Sequence, residues 1–267
     1  MVKKVTTGTS YEQSRINRKK ILTLLLAVFT VIFAFSSYKV FTILSNYNES
    51  ESEYSDIKDK AVQETEREDL PSNPGHKVKV LDIDYQSLKE QNPDYCAWID
   101  ILNNDKISYP VMKSKDNDFY LHRTFEKKYL FAGSLFMDYR NNADFSSPVT
   151  FIYGHSMNNR SMFGSLRNYR TQSYYDEHRI IHLYVDGQLY VYKVFAFIDT
   201  VPYSKIYKFK FESDQAIKDY IALIQSSSMY KSDMTVTSDQ KILCLSTCNT
   251  DNKRWILAAV LTNVIDL

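Results

Sequence analysis

Cysteine is scarce in this chain. Of 267 residues only three are cysteine, Cys96, Cys244 and Cys248, too few and too unevenly spaced for a disulfide-stapled scaffold. No Cys-x2-Cys pair or cluster of further ligands marks a zinc site, and neither a metal nor a cofactor is expected. An excess of charge of one sign is also missing. The 33 Lys and Arg against 32 Asp and Glu leave a net charge of +1, which excludes a surface that tracks nucleic-acid phosphates. No internal repeat is visible. What is abundant is aromatic: 21 Tyr and 15 Phe argue against a disordered chain and for one sizeable core.

The neutral total hides a polarity along the chain. Residues 1–20 carry six bases and one acid, a local charge of +5. Residues 21–38, ILTLLLAVFTVIFAFSSY, contain no charge. As a helix this run covers about 27 Å, close to the roughly 30 Å of a bilayer's hydrocarbon core, so it is expected to be a single transmembrane anchor. It is longer than a signal-peptide core, and Ala34-Phe35-Ser36 is a poor cleavage site, which favours an anchor over a removed signal. The basic flank predicts a cytoplasmic N-terminus, with everything after Lys39 outside the cell. Residues 46–69 hold nine acids and three bases, so 39–76 reads as a solvated acidic stalk, closed by Pro71, Pro74 and Gly75. A folded domain is expected over 77–267.

Within it most signals are short and extended. Segments 78–83, 107–112, 134–138 and 149–153 are rich in β-branched and aromatic residues. Two apolar runs flank Asp186-Gly187, a pair suited to a tight hairpin turn. The segments MTVTS, KILCLST and RWILAAVLT add strands near the C-terminus. Helical spacing appears only briefly, at 85–91, 161–169 and 213–226. The expected fold is mostly β: a closed seven- to eight-stranded barrel with short peripheral helices, after one N-terminal membrane helix.

Two residues stand out for chemistry. If 241–248 is extended, Cys244 and Cys248 lie about 13 Å apart and cannot bridge. Cys244, within ILCL, and Cys96 read as small buried hydrophobes. Cys248 falls where an apolar strand gives way to the polar loop 249–253, with Arg254 six residues on, where a cation would favour the thiolate. His76, His122, His178 and His182 read as ordinary linker, surface or half-buried residues. His155, by contrast, ends the strand VTFIY after Gly154, which permits close approach at a strand terminus. Cys248 and His155 thus form a candidate nucleophile and acid–base pair for acyl transfer.

At these residues the chain resembles the class B sortases, membrane-anchored transpeptidases of Gram-positive bacteria. Leu245-Ser246-Thr247-Cys248 matches three of the four fixed positions of the TLxTC signature, with Cys244 in place of its first Thr. Ile152-Tyr153-Gly154-His155-Ser156-Met157, followed by Ser161-Met162-Phe163-Gly164-Ser165-Leu166, is similar to the class B histidine block. Asn92-Pro93-Asp94 with Trp98-Ile99, Tyr109-Pro110-Val111 with Asp116-Asn117 and Tyr120-Leu121, and Gly133-Ser134-Leu135-Phe136-Met137-Asp138 continue the likeness over residues 79–265.

The resemblance implies that Cys248 attacks a Thr carbonyl in the C-terminal sorting motif of a secreted protein. His155 would then protonate the leaving amine, and Arg254 would hold substrate or stabilise the oxyanion. It implies substrate contacts at Asn117, Leu121, Ser246 and Thr247. It also implies an acceptor amine, on a cell-wall peptide cross-bridge or, alternatively, on a pilin lysine. A membrane-tethered β-barrel binding module without activity is the reading from another class. The insertion 201–236 is similar to the loop that forms one wall of the class B groove. Its Tyr203, Tyr207 and Phe209 either contact peptide or pack the helix.

Overall fold

The computed structural model describes residues 8–68, 70, 75, 77–248 and 253–267, with side chains from residue 14 onward and that of Cys248 excepted. The chain divides into two units, Met1–Asn48 and Glu49–Leu267. Helix α1 (Gly8–Ala61) begins in the first. Its residues 21–38 are exposed throughout, and it is long and apolar enough to cross a membrane.

The second unit departs from the expected solvated stalk. Ser50, Glu53, Tyr54, Ile57 and Ala61 are buried along one face of α1. The Tyr54 hydroxyl donates to the Gly133 carbonyl at 2.7 Å and pairs with Ser134 Oγ at 2.9 Å, while Glu53 Oε1 accepts the Glu126 N–H. Strand β1 (Val62–Arg67) then pairs antiparallel with β2 (Val78–Ile83), Val62 opposite Ile83. Five inward positions at helical spacing are enough to dock a segment whose charges, Glu53 apart, lie on its other faces, so a high acid count did not mean a free stalk.

The rest of the unit is a closed barrel of eight strands: β3 (Tyr95–Ile101), β4 (Ser108–Lys113), β5 (Leu135–Met137), β6 (Val149–Tyr153), β7 (Ile180–Val185), β8 (Gln188–Thr200), β9 (Ile242–Cys248) and β10 (Arg254–Asp266), in the order β10-β8-β7-β3-β4-β5-β6-β9. The β7–β8 hairpin turns at Asp186 (φ 43°) and Gly187 (φ 76°), both left-handed, as the Asp-Gly pair requires. Two pairings are parallel, β4 with β5 and β6 with β9. Parallel neighbours need a long crossover, and between β6 and β9 it is the whole span from 154 to 241. Trp98, Phe151 and Phe195 are fully buried, the two phenylalanines in a cluster that the strands share with residues 220–224.

Helices α2 (Tyr85–Gln91), α3 (Gln172–Glu177) and α4 (Asp214–Ser227) lie outside the barrel sheet. Ser213 caps α4 by accepting the Ala216 N–H, and α4 buries Tyr220, Ile221 and Ile224, the stripe its 3.6-residue spacing predicts. The expected helix at 161–169 is instead 3-10 turns over Gly164–Arg170; left-handed Arg160 and Met162 break the lead-in. The expected strand at 234–238 is absent. Met234 and Val236 pack against the core, but β9 is already paired on both edges, by β6 and β10, so no ladder is open to them.

His182 is fully buried, and its Nε2 has no partner among the described residues. Burial pushes its pKa down to about 4 from the ordinary 6.5. The unfolded chain therefore takes up this proton near pH 6.5 while the native one refuses it until about pH 4, so this group's stabilising effect is present above pH 6.5 and is lost as pH falls through that window. Replacing it by an apolar ring of similar shape, His182→Phe, is expected to shrink the loss of urea-unfolding free energy between pH 7 and pH 5 by about 2 kcal/mol. An unchanged loss would show that His182 is not the group responsible.

Candidate active site

The rim of the barrel is assembled by strand direction. Because β6 runs parallel to β9, with Val149 opposite Ile242 and Tyr153 opposite Ser246, both strands reach their C-terminal ends together. Antiparallel β10 starts beside that end, and its Arg254 lies opposite Cys248. His155, the Cys248 backbone and Arg254, distant in sequence, thus share one rim. The Cys248 side chain and the loop 249–252, where a polar turn was expected, lie outside the described residues.

His155 follows a glycine for a steric reason. A Cβ at Gly154 would collide with the Leu135 and Phe163 side chains, so only glycine lets the chain leave β6 this close to the core. The imidazole Nε2 lies 2.8 Å from the Leu121 carbonyl oxygen. A carbonyl only accepts, so Nε2 carries hydrogen and Nδ1 is left to exchange a proton. Gly133, at φ +58°, clears the same place, since a Cβ there would strike the Tyr120 and Leu121 carbonyls. The His155 ring also stacks on Phe131 at 5.1 Å and on His122 at 5.3 Å between centroids. Burial lowers its pKa below the ordinary value, the Leu121 carbonyl pushes it back up, and neighbouring His122 lowers it.

A cleft of about 570 Å³ opens at this rim. Asn117, Leu121, His155, Ser246, Thr247 and Arg254, all singled out from the sequence, line it together. Ser246 and Thr247 are nearly inaccessible, and Ser246 Oγ meets the Tyr207 hydroxyl at 2.8 Å. The Arg254 guanidinium donates to the Lys253 carbonyl at 3.0 Å. Insertion 201–236 supplies part of the wall through Pro202, Tyr203, Ser204 and Tyr207. The three aromatics singled out from the sequence divide: Tyr207 and Phe209 pack on Phe151 at 5.3 and 5.1 Å, whereas Tyr203 is fully exposed at the cleft.

Sequence reading missed the polar clamp beneath this wall. The buried Asp138 carboxylate accepts two N–H bonds from the Arg140 guanidinium, at 2.8 and 2.7 Å, one from Asn117 Nδ2 at 2.9 Å and one from the Tyr153 hydroxyl at 3.0 Å. Burial alone would raise this carboxyl's pKa; the Arg140, Asn117 and Tyr153 donors hold it below the usual carboxylate range. Arg140 also lies 3.6 Å over the Phe209 ring. Asn117 is thereby fixed at both ends of its amide, for its Oδ1 accepts the Tyr139 N–H at 3.0 Å. The one trace in the sequence is a carboxylate and a guanidinium two residues apart after the apolar β5.

Crowding at Gly154 sets a test. Gly154→Ala is expected to lower unfolding free energy by about 1–3 kcal/mol, to detach His155 from Leu121, and so to shift the imidazole's NMR titration. An alanine variant with native stability and an unmoved His155 titration would contradict the steric argument.

The Sortase domain family matches residues 100–262. Sortase B of Listeria monocytogenes is 33% identical over 166 residues, which span 62% of this chain and 67% of that protein. The crystal structure of sortase B from B. anthracis in complex with AAEK1 superposes with a TM-score of 0.70 at 29% identity, covering 82% of this chain and 99% of that one. The Staphylococcus aureus sortase B–substrate complex superposes at 0.63 and 30% identity, covering 68% and 85%. With the closed barrel and the cleft at the ends of β6 and β9, these matches establish that the chain belongs to the sortase family, as a class B member and a cysteine transpeptidase.

Proposed function

We propose that the enzyme cleaves a sorting motif near the C-terminus of a secreted protein after a Thr residue and transfers the upstream protein to an amine of a cell-wall peptide cross-bridge. Cys248 is the nucleophile in this reading. Its thiolate attacks the Thr carbonyl, and the C–N bond of the tetrahedral species breaks as His155 gives a proton to the leaving amine. The acceptor amine then attacks the thioester, loses its proton to His155, and the sulfur departs as thiolate. Arg254 faces the developing oxyanion.

The observation that carries this reading is the common rim, where His155 and Arg254 line the same cleft as Ser246 and Thr247, the two residues before Cys248. The Leu121 bond supports a specific proton path. With Nε2–H engaged by a carbonyl, Nδ1 is the nitrogen that delivers and collects the proton, and the orienting role of a triad carboxylate falls to a backbone oxygen. Asn117, Leu121, Ser246 and Thr247 are the proposed motif contacts, with Asp138 positioning Asn117. The anchor at 21–38 would hold the domain at the outer face of the cell membrane. The +5 charge of residues 1–20 supports a cytoplasmic N-terminus.

Quenched peptides spanning a library of Thr-containing motifs test the assignment. Wild type is expected to cleave a subset, and Cys248→Ala none. His155→Ala should lose at least about 10²-fold in kcat with its fold intact. Arg254→Ala should lose about 10²-fold in kcat with little change in KM; a rise in KM alone would make Arg254 a substrate-positioning residue. Wild-type rates in Cys248→Ala would refute the nucleophile.

A further inference from the structure

His155 borders a second cleft. Among the described residues it is the one lining residue shared between the cleft above and another of about 840 Å³. Strand β10 divides the two, since Arg254 lines the first and its neighbour Trp255 the second, as successive residues of a strand point to opposite faces. The remaining walls include Asn158, Arg167, Asn168, Arg170 and Thr171. Its size falls within the range of pockets that hold small ligands or short peptides.

The lining has a sign. It contains two arginines and, among the described residues, no acid. Arg167 is fixed by donating to the Gly164 and Met157 carbonyls, at 2.9 and 3.2 Å, which anchors its charge without cancelling it. Arg170 is exposed. Such a cleft repels a bare ammonium, and it attracts a molecule whose amine is accompanied by a carboxylate. The same field favours the free amine over its protonated form, and the free amine is the nucleophile.

Transfer imposes a matching geometric demand. While the first substrate remains as a thioester, it occupies the first cleft, so the acceptor has to arrive by another path. Its amine must also come within reach of His155, which takes the proton. We propose that the second cleft is the acceptor site, and that it takes an amine on a short peptide bearing a free carboxylate, with the carboxylate at Arg167 and Arg170 and the amine toward His155. The amine nitrogen bonds to the thioester carbon, the C–S bond breaks to release thiolate, and the nitrogen's proton passes to His155. This inference rests on the transpeptidase mechanism proposed above.

The test uses the full chain in detergent micelles, the donor peptide selected by the library, and two acceptors, triglycine and triglycinamide, which differ in the free carboxylate. Release of the donor's leaving peptide and formation of the transfer product are followed separately by mass spectrometry. Triglycine is expected to half-saturate transfer at a concentration about five- to tenfold below that of its amide. Arg170→Glu should raise the triglycine value about tenfold and abolish the preference, Arg170→Gln should fall between, and Arg170→Lys should retain the preference. Arg170 is exposed, and circular dichroism verifies that each variant folds. If leaving peptide is released while both acceptors transfer alike in wild type and in Arg170→Glu, the acceptor site is overturned. If wild type releases no leaving peptide, the transpeptidase mechanism falls, and this inference with it.

Discussion

The parallel pairing of β6 with β9 is the constraint on which the rim depends. Had these strands run antiparallel, the end of β6 that carries Gly154 and His155 would lie at the opposite end of the barrel from Cys248. Parallel pairing is not local: it requires the intervening chain to cross the barrel through β7, β8 and α4 before β9 can enter. Once β9 is in place, antiparallel β10 sets Arg254 opposite Cys248. His155, the Cys248 backbone and Arg254 are therefore brought to one rim by the pairing of these three strands.

Around this frame the protein spends polar groups on orientation. Leu121 offers a carbonyl to His155, Asp138 gathers Arg140, Asn117 and Tyr153, and Tyr207 meets Ser246. Each bond fixes a wall of the cleft. Cys96 and Cys244 show the contrast with a working thiol: both are buried, and burial pushes their pKa up to about 12, so neither supplies thiolate near neutral pH.

How much of this could be read from the sequence follows from range. The Asp186-Gly187 turn, the α4 stripe and the strand at 149–153 are local patterns, and each stands in the structure where its pattern lies. His155 and Cys248 were visible as reactive types at strand ends, and the six described residues named from the sequence do line one cleft. Long-range features were not visible. The docked face of α1 was hidden because five inward residues among many acids barely change composition. The segment 234–238 looked like a strand because propensity cannot know that both edges of β9 are taken. The Leu121 carbonyl left no trace at all, because every residue has one, and Asp138 became meaningful only when folding brought its donors to it.

The central claim is that Cys248 carries the acyl group between two substrates. Intact mass and peptide mapping of the wild-type enzyme, quenched in acid during turnover of a cleavable donor peptide, test it most directly. The account predicts an adduct equal to the donor up to and including its Thr, located on Cys248 and discharged when an acceptor amine is added. Cleavage that proceeds with Cys248 unmodified at every time point, or with the adduct on another residue, would contradict it.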